Sequence, residues 1–279
     1  INFFDTADAY NLGNSEEIIG ETLMSYTSRE NIVLSTKVGL KMGGDANQVG
    51  LSRKHLMESI DQQLKRLKTE YIDLYQIHRL DNHTPLEETL DALTDIKKAG
   101  KIHYIGGSTM PAYKFAQLLT LAECKGYVRP IAMQNLYNLI QRDEERDMIP
   151  LCLENGVGLI PYSPLARGVL AGNRAEGGIG ETERAKYDKG LVTGASLFRN
   201  SDKEVIKNVI SVANKHNIKP TQVALSWILN KSGVVSPIVG ATKLSHISDA
   251  VSAIDVELST DDIKELEKAY QPRAIEPNI

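Results

Sequence analysis

Residues 52–78 read SRKHLMESIDQQLKRLKTEYIDLYQIH. Two periodicities meet there. Over 52–68, Leu56, Ile60, Leu64 and Leu67 fall on one face at helical spacing, with Ser52 placed to cap the start. Over 72–78 an apolar run too short for a helix ends abruptly on His78. A helix feeding a buried strand is half of a βα repeat, and the same alternation recurs on both sides.

Working outward, further strands are expected at 1–5, 31–37, 102–107, 131–134, 157–162 and 234–239. Helices are expected at 14–25, 84–99, 112–125, 144–155, 201–216, 221–231, 245–253 and 260–269. Thr84-Pro85-Leu86-Glu87 reads as a capping box with Gly100 as the stop; Asn14 with Glu17 and Ser201 with Glu204 read similarly. The Gly-rich stretch 172–194 reads as a long surface loop.

Strands alternating with helices imply a parallel sheet. An open doubly wound sheet should carry a G-x-G-x-x-G fingerprint after an early strand, and none occurs. The expectation is therefore an α/β chain folded as a (β/α)8 TIM barrel. It is read as one domain over 1–279, with the barrel's first strand and helix missing from this sequence.

Composition narrows function. Formal net charge is −4 over 279 residues, so no basic field advertises nucleic acid, and no apolar run is long enough to span a bilayer. Cys124 and Cys152 lack metal spacing, and so few cysteines fit the reducing cytoplasm.

In a parallel barrel, chemistry gathers at the carboxyl ends of strands. The first three runs end on Asp5, Lys37 and His78, with Tyr10 shortly after the first. Alone, Asp5 reads as a turn cap, Tyr10 as packing, His78 as a core histidine and Lys37 as a snorkelling surface group. Together they make a proton-delivering site. A phenol, which titrates near 10, donates more readily beside an ammonium, and a carboxylate keeps that ammonium charged. A histidine beside the phenol can orient a carbonyl oxygen. The metal reading of Asp5 and His78 lacks any His-x-His or paired-carboxylate spacing.

Phe4-Asp5-Thr6-Ala7-Asp8-Ala9-Tyr10, Ser35-Thr36-Lys37, Ile72 to Arg79, Ile105-Gly106-Gly107-Ser108, Gln134 to Asn138, Pro161 to Gly168 and Pro237-Ile238-Val239-Gly240 stand in one order. In these motifs the sequence resembles the aldo-keto reductase family, closest to its aryl-alcohol-dehydrogenase-like branch. The resemblance implies NADPH-dependent reduction of a small aldehyde or ketone, with Asp5, Tyr10, Lys37 and His78 as catalytic tetrad. It implies Ser108 and Gln134 as partners of the nicotinamide carboxamide, and Tyr162 as the stacking ring. Ser163, Leu165, Arg167 and Gly168 become the pyrophosphate loop. Gly240, Thr242, Lys243, His246 and Asp249 become the adenosine-phosphate segment. His246 stands where the family usually has arginine, the better phosphate partner; Lys243 still favours NADP+ over NAD+. The family also implies an alternative, a nicotinamide-binding sensor or docked β-subunit-like module with little turnover. Oligomeric state stays open.

Overall fold

A computed structural model of the protein describes residues 1–172 and 199–272. Apart from Gly172, the loop expected over 172–194 lies outside the described residues. The chain divides into two compact units: Ile1–Gln134 with Leu151–Gly158, and Asn135–Pro150 with Leu159–Ile279.

The first unit holds parallel strands β1 (Phe3–Asp5), β2 (Val33–Val38), β3 (Ile72–Ile77), β4 (Ile102–Ser108) and β5 (Pro130–Gln134), paired in chain order. Between them run α1 (Asn14–Tyr26), α2 (Arg53–Leu67), α3 (Leu86–Lys98) and α4 (Ala112–Lys125). Each helix packs on the next. The α2 stripe behaves as its spacing predicts: Leu56, Ile60 and Leu67 are fully buried, each contributing roughly 1.5–3 kcal/mol of apolar transfer. Ser52 Oγ accepts from the His55 amide at 3.3 Å, the expected cap.

The other three helix starts differ from expectation. Thr84 Oγ1 turns away from α3 to donate to Asp81 Oδ2 at 2.5 Å, and Asp81 also accepts from the Leu51 and His83 amides. The helix begins at Leu86, so its cap position falls on Pro85, which has no side-chain acceptor, and Thr84 stands one residue too early to cap it. At α1 the cap position is Gly13, in left-handed conformation, and no side chain caps the helix. At the helix that opens on Asp202, Asp202 Oδ2 turns back to accept the Arg199 amide at 2.7 Å, and Ser201, at the cap position, caps nothing. Gly20 is a helical glycine for a packing reason: a Cβ there would sit 2.3 Å from the Arg66 carbonyl oxygen on α2.

In chain order there follow a 3-10 turn (Asp143–Glu145), α5 (Met148–Glu154) and β6 (Gly158–Leu159). The helix expected over 144–155 is thus split. The second unit contains α6 (Asp202–His216), α7 (Pro220–Leu229), α8 (Leu244–Ser252) and α9 (Thr260–Glu267). Its parallel pairing is sparse, with bridges Leu136–Tyr162, Leu159–Val234 and Tyr162–Ile238. The run 234–239 therefore contributes two bridges in place of a full strand; Pro237, which has no N–H, stands between them. The core of this unit surrounds Trp227, as a packing residue should. Its ring lies 5.4 Å from that of Tyr137, and its Nε1 donates to Glu267 Oε1 at 2.8 Å.

Candidate active site

Strand register explains why the first unit's polar residues converge. Lys37 lies level with Gln76, Gln76 with Gly106, and Gly106 with Ala132. Gly106 is needed in that row, because a Cβ would approach the Ala132 carbonyl to 3.0 Å and Gln76 Cγ to 3.3 Å. The space admits the Gln76 side chain, whose Nε2 reaches Asp5 Oδ1 at 3.0 Å and Ser35 Oγ at 2.7 Å.

Lys37 has no solvent exposure, so its ammonium must find acceptors. Asp5 Oδ2 lies at 2.5 Å and the Thr6 carbonyl at 2.7 Å. Asp5 Oδ1 is held in turn by the side-chain amides of Gln76 and Gln134, the latter at 3.1 Å. Desolvating such a pair costs several kcal/mol per ion before the attraction offsets it, so the pair is weak evidence of stabilisation. It does hold one positive charge at one fixed point.

That point faces an aromatic pair. Lys37 Nζ is 5.1 Å from the Tyr10 ring centroid, and the Tyr10 and His78 rings meet edge to face at 5.7 Å. Tyr10 is 43% exposed and stands at the rim, whereas His78 is buried. Burial, then the charges of Lys37 and Arg79, push the His78 imidazole down to about 3. His78 is therefore neutral near pH 7. Its Nδ1 is buried with no hydrogen-bond partner, which leaves Nε2 to meet a ligand. The cluster thus offers a phenol, a neutral imidazole and a buried cation around one rim position. Such a set can bind a carbonyl oxygen and proton-load it as negative charge develops there.

Ser108 and Gln134, at the ends of β4 and β5, are buried in the same unit, and Arg79 Nη1 lies 3.4 Å from Ser108 Oγ. Gln134 has a tie to Asp5 that its motif did not announce. Arg79 Nη1 also donates to the His78 carbonyl at 2.6 Å. Sequence reasoning passed over Gln76, although a lone amide inside the apolar run 72–77 was the available signal. It also passed over the network behind β2. Glu16 accepts from Thr36, Gln63 and Arg66, and Tyr75 donates to Gln63. Glu16 sits in a helical first turn, where an acid reads as a dipole partner, so nothing local marks it as buried.

The other expected cofactor residues lie in the second unit. Tyr162 is fixed by its bridges, and the Ser163 carbonyl accepts from Asn138 Nδ2 at 3.0 Å. Ser163, Ala166, Arg167 and Gly168 all have positive φ, and Leu165 lies within that loop. Such left-handed runs form concave nests for anions. A Cβ at Gly168 or at Gly240 would meet nothing within 4 Å, so both glycines open onto free space. Lys243 precedes the first turn of α8, and the Thr242 amide donates to His246 Nδ1 at 3.4 Å. Asp249 is held by Lys219 at 2.7 Å. A loop nest and a basic helix start fit the phosphates of a dinucleotide.

The chain matches the aldo/keto reductase family over residues 1–271. It is 42% identical to a Schizosaccharomyces pombe protein whose name assigns it provisionally to the aryl-alcohol dehydrogenases, over all of this chain and 84% of that one. It is also 42% identical to versiconal hemiacetal acetate reductase of Aspergillus parasiticus, over 99% of this chain and 85% of that one. An aldo-keto reductase of Fusarium vanettenii is 38% identical over 99% and 80%.

This chain therefore belongs to the aldo/keto reductase family, whose fold is the (β/α)8 barrel to which the parallel strands described above conform. It is an oxidoreductase of a class that uses a nicotinamide cofactor and small-molecule carbonyl substrates. Among the described residues no helix is long and apolar enough to cross a membrane, and no group of three His, Cys, Asp or Glu could hold a metal ion.

Proposed function

We propose that this protein reduces aldehydes or ketones to alcohols with NADPH, Tyr10 serving as general acid. One observation carries the reading: the Lys37 ammonium, locked on Asp5, stands 5.1 Å from the Tyr10 ring while a neutral His78 lies edge-on to it. A neutral imidazole can hydrogen-bond a carbonyl oxygen but is a poor proton source, which leaves the phenol to protonate it. Lys37 stabilises the phenolate left behind, and Asp5 keeps the lysine in place. When bound, the nicotinamide supplies hydride to the carbonyl carbon.

For the cofactor, Ser108 and Gln134 would hold the carboxamide, and Tyr162 would cover the ring. Ser163, Leu165, Arg167 and Gly168 would take the pyrophosphate. Gly240, Thr242, Lys243, His246 and Asp249 would frame the adenosine end, with Lys243 against the 2′-phosphate. Cytoplasmic residence belongs to the same reading, since a chain with only two cysteines suits a reducing compartment.

The test is cofactor oxidation, followed with NADPH or NADH against a panel of aromatic and aliphatic aldehydes. Tyr10→Phe should lose at least about 100-fold in kcat, the general-acid contribution, while still binding NADPH. Near-full turnover by Tyr10→Phe would sink the mechanism. Tight NADPH binding by the unaltered protein with no turnover of any carbonyl would favour a sensor.

A further inference from the structure

The segment joining Asp5 to Tyr10 is stitched to β2 by its backbone. The Thr6 amide donates to the Ser35 carbonyl at 2.9 Å, the Asp8 amide to the Lys37 carbonyl at 3.2 Å, and Lys37 Nζ to the Thr6 carbonyl at 2.7 Å. The turn then closes with the Tyr10 amide on the Ala7 carbonyl and the Ser15 amide on the Tyr10 carbonyl. Tyr10 hangs from this turn, so whatever seats the turn sets where the phenol stands.

One side chain of the turn has no assigned task. Asp8 is 1% exposed, and neither carboxyl oxygen has a hydrogen-bond partner. The groups facing it are Glu16 on α1, Lys37 on β2, Arg66 on α2 and the Tyr75 hydroxyl on β3. Their donors are committed elsewhere. Arg66 and Gln63 serve Glu16 at 2.7 and 2.9 Å, Lys37 serves Asp5 and Thr6, and Tyr75 serves Gln63 at 2.6 Å. A carboxylate at Asp8 would be buried beside the Glu16 anion with no side-chain donor and only the adjacent Ala9 amide to favour it, an arrangement that on balance disfavours the charged form. Burial first, then Glu16, push the Asp8 carboxyl up to about 7.

We propose that Asp8 is a positioning residue for Tyr10: as an uncharged acid it seats the Asp5–Tyr10 turn on the end of β2, and as a carboxylate it unseats it. The consequence for catalysis rests on the reading of Tyr10 as the acid; the consequence for the turn does not. Asparagine keeps the size and neutrality of the protonated acid, whereas alanine removes the group that fills the space.

The experiment compares the full chain with Asp8→Asn and Asp8→Ala. Amide hydrogen exchange over residues 6–12, corrected for intrinsic pH dependence, is followed from pH 5 to 9 without cofactor, and kcat is measured over the same range. In the unaltered chain, protection should fall several-fold as pH rises from 5 towards about 7 and level off above it, with kcat falling in parallel. Asp8→Asn should hold protection level, keep the acid-side kcat and abolish that loss. Asp8→Ala should lose protection throughout. Level corrected protection in the unaltered chain overturns the proposal even if both variants misfold. So does an Asp8→Asn profile that matches the unaltered one. If protection behaves as expected while no carbonyl is turned over, Asp8 keeps its role and the reductase reading fails.

Discussion

Replacing His78 with glutamine should make the protein less sensitive to acid, although it removes a residue assigned to the site. The imidazole ordinarily titrates at 6.5 and is pushed down to about 3 in the fold, first by burial and then by Lys37 and Arg79. Below 6.5 the unfolded chain takes up a proton that the folded chain refuses, so stability is lost as pH falls from 6.5 towards 3. At about 1.4 kcal/mol per pH interval of one, the loss at pH 5 is about 2 kcal/mol and the full loss about 5 kcal/mol. Glutamine carries no such proton. Urea unfolding at pH 7 and pH 5 gives four free energies. The acid-induced loss in the unaltered protein should exceed that in His78→Gln by about 2 kcal/mol. Equal losses in the two proteins would refute the claim that His78 is held neutral, and with it the reason for assigning the proton to Tyr10. The carboxyls and other histidines titrate alike in both proteins and cancel in the comparison.

Other substitutions probe separate parts. Lys37→Met leaves Asp5 buried without its cation and should cost about 3–5 kcal/mol in urea unfolding, with turnover abolished. Lys37→Arg should not restore activity, because a planar guanidinium does not fit a fully buried point-charge site. Gly20→Ala forces a Cβ to within 2.3 Å of the Arg66 carbonyl, so overpacking of α1 on α2 should cost about 1–3 kcal/mol by denaturant midpoint. Lys243→Ala should raise KM for NADPH about fivefold and leave that for NADH nearly unchanged, since a single exposed charge contributes about 1 kcal/mol; equal effects on both cofactors would remove Lys243 from the 2′-phosphate.

The strand–helix alternation was legible because each element carries its own period. Leu56, Ile60 and Leu67 declare a helix face without knowledge of the partner they pack on. The strand ends Asp5, Lys37 and His78 were legible for a related reason: polar groups that close apolar runs stand out. Caps were read less well. Thr84 and Ser201 have the right chemistry, but α3 starts one residue later than its motif suggests, with Pro85 at the cap, and Ser201 stands at its cap without accepting a bond; where a helix starts and how a side chain turns are settled in space.

Residue order was enough to establish a parallel α/β barrel chain and to put Asp5, Tyr10, Lys37 and His78 at one end of successive strands, because strand direction and period are local properties. Protonation and support were not readable there. Whether His78 is neutral depends on the burial and the cations around it. Whether Asp8 finds a side-chain donor depends on Arg66, Gln63 and Tyr75 already being engaged. Whether Gln134 holds Asp5 depends on register across the sheet. These are properties of electric fields and of distances between residues up to 129 positions apart, and they come into being only when the strands lie side by side.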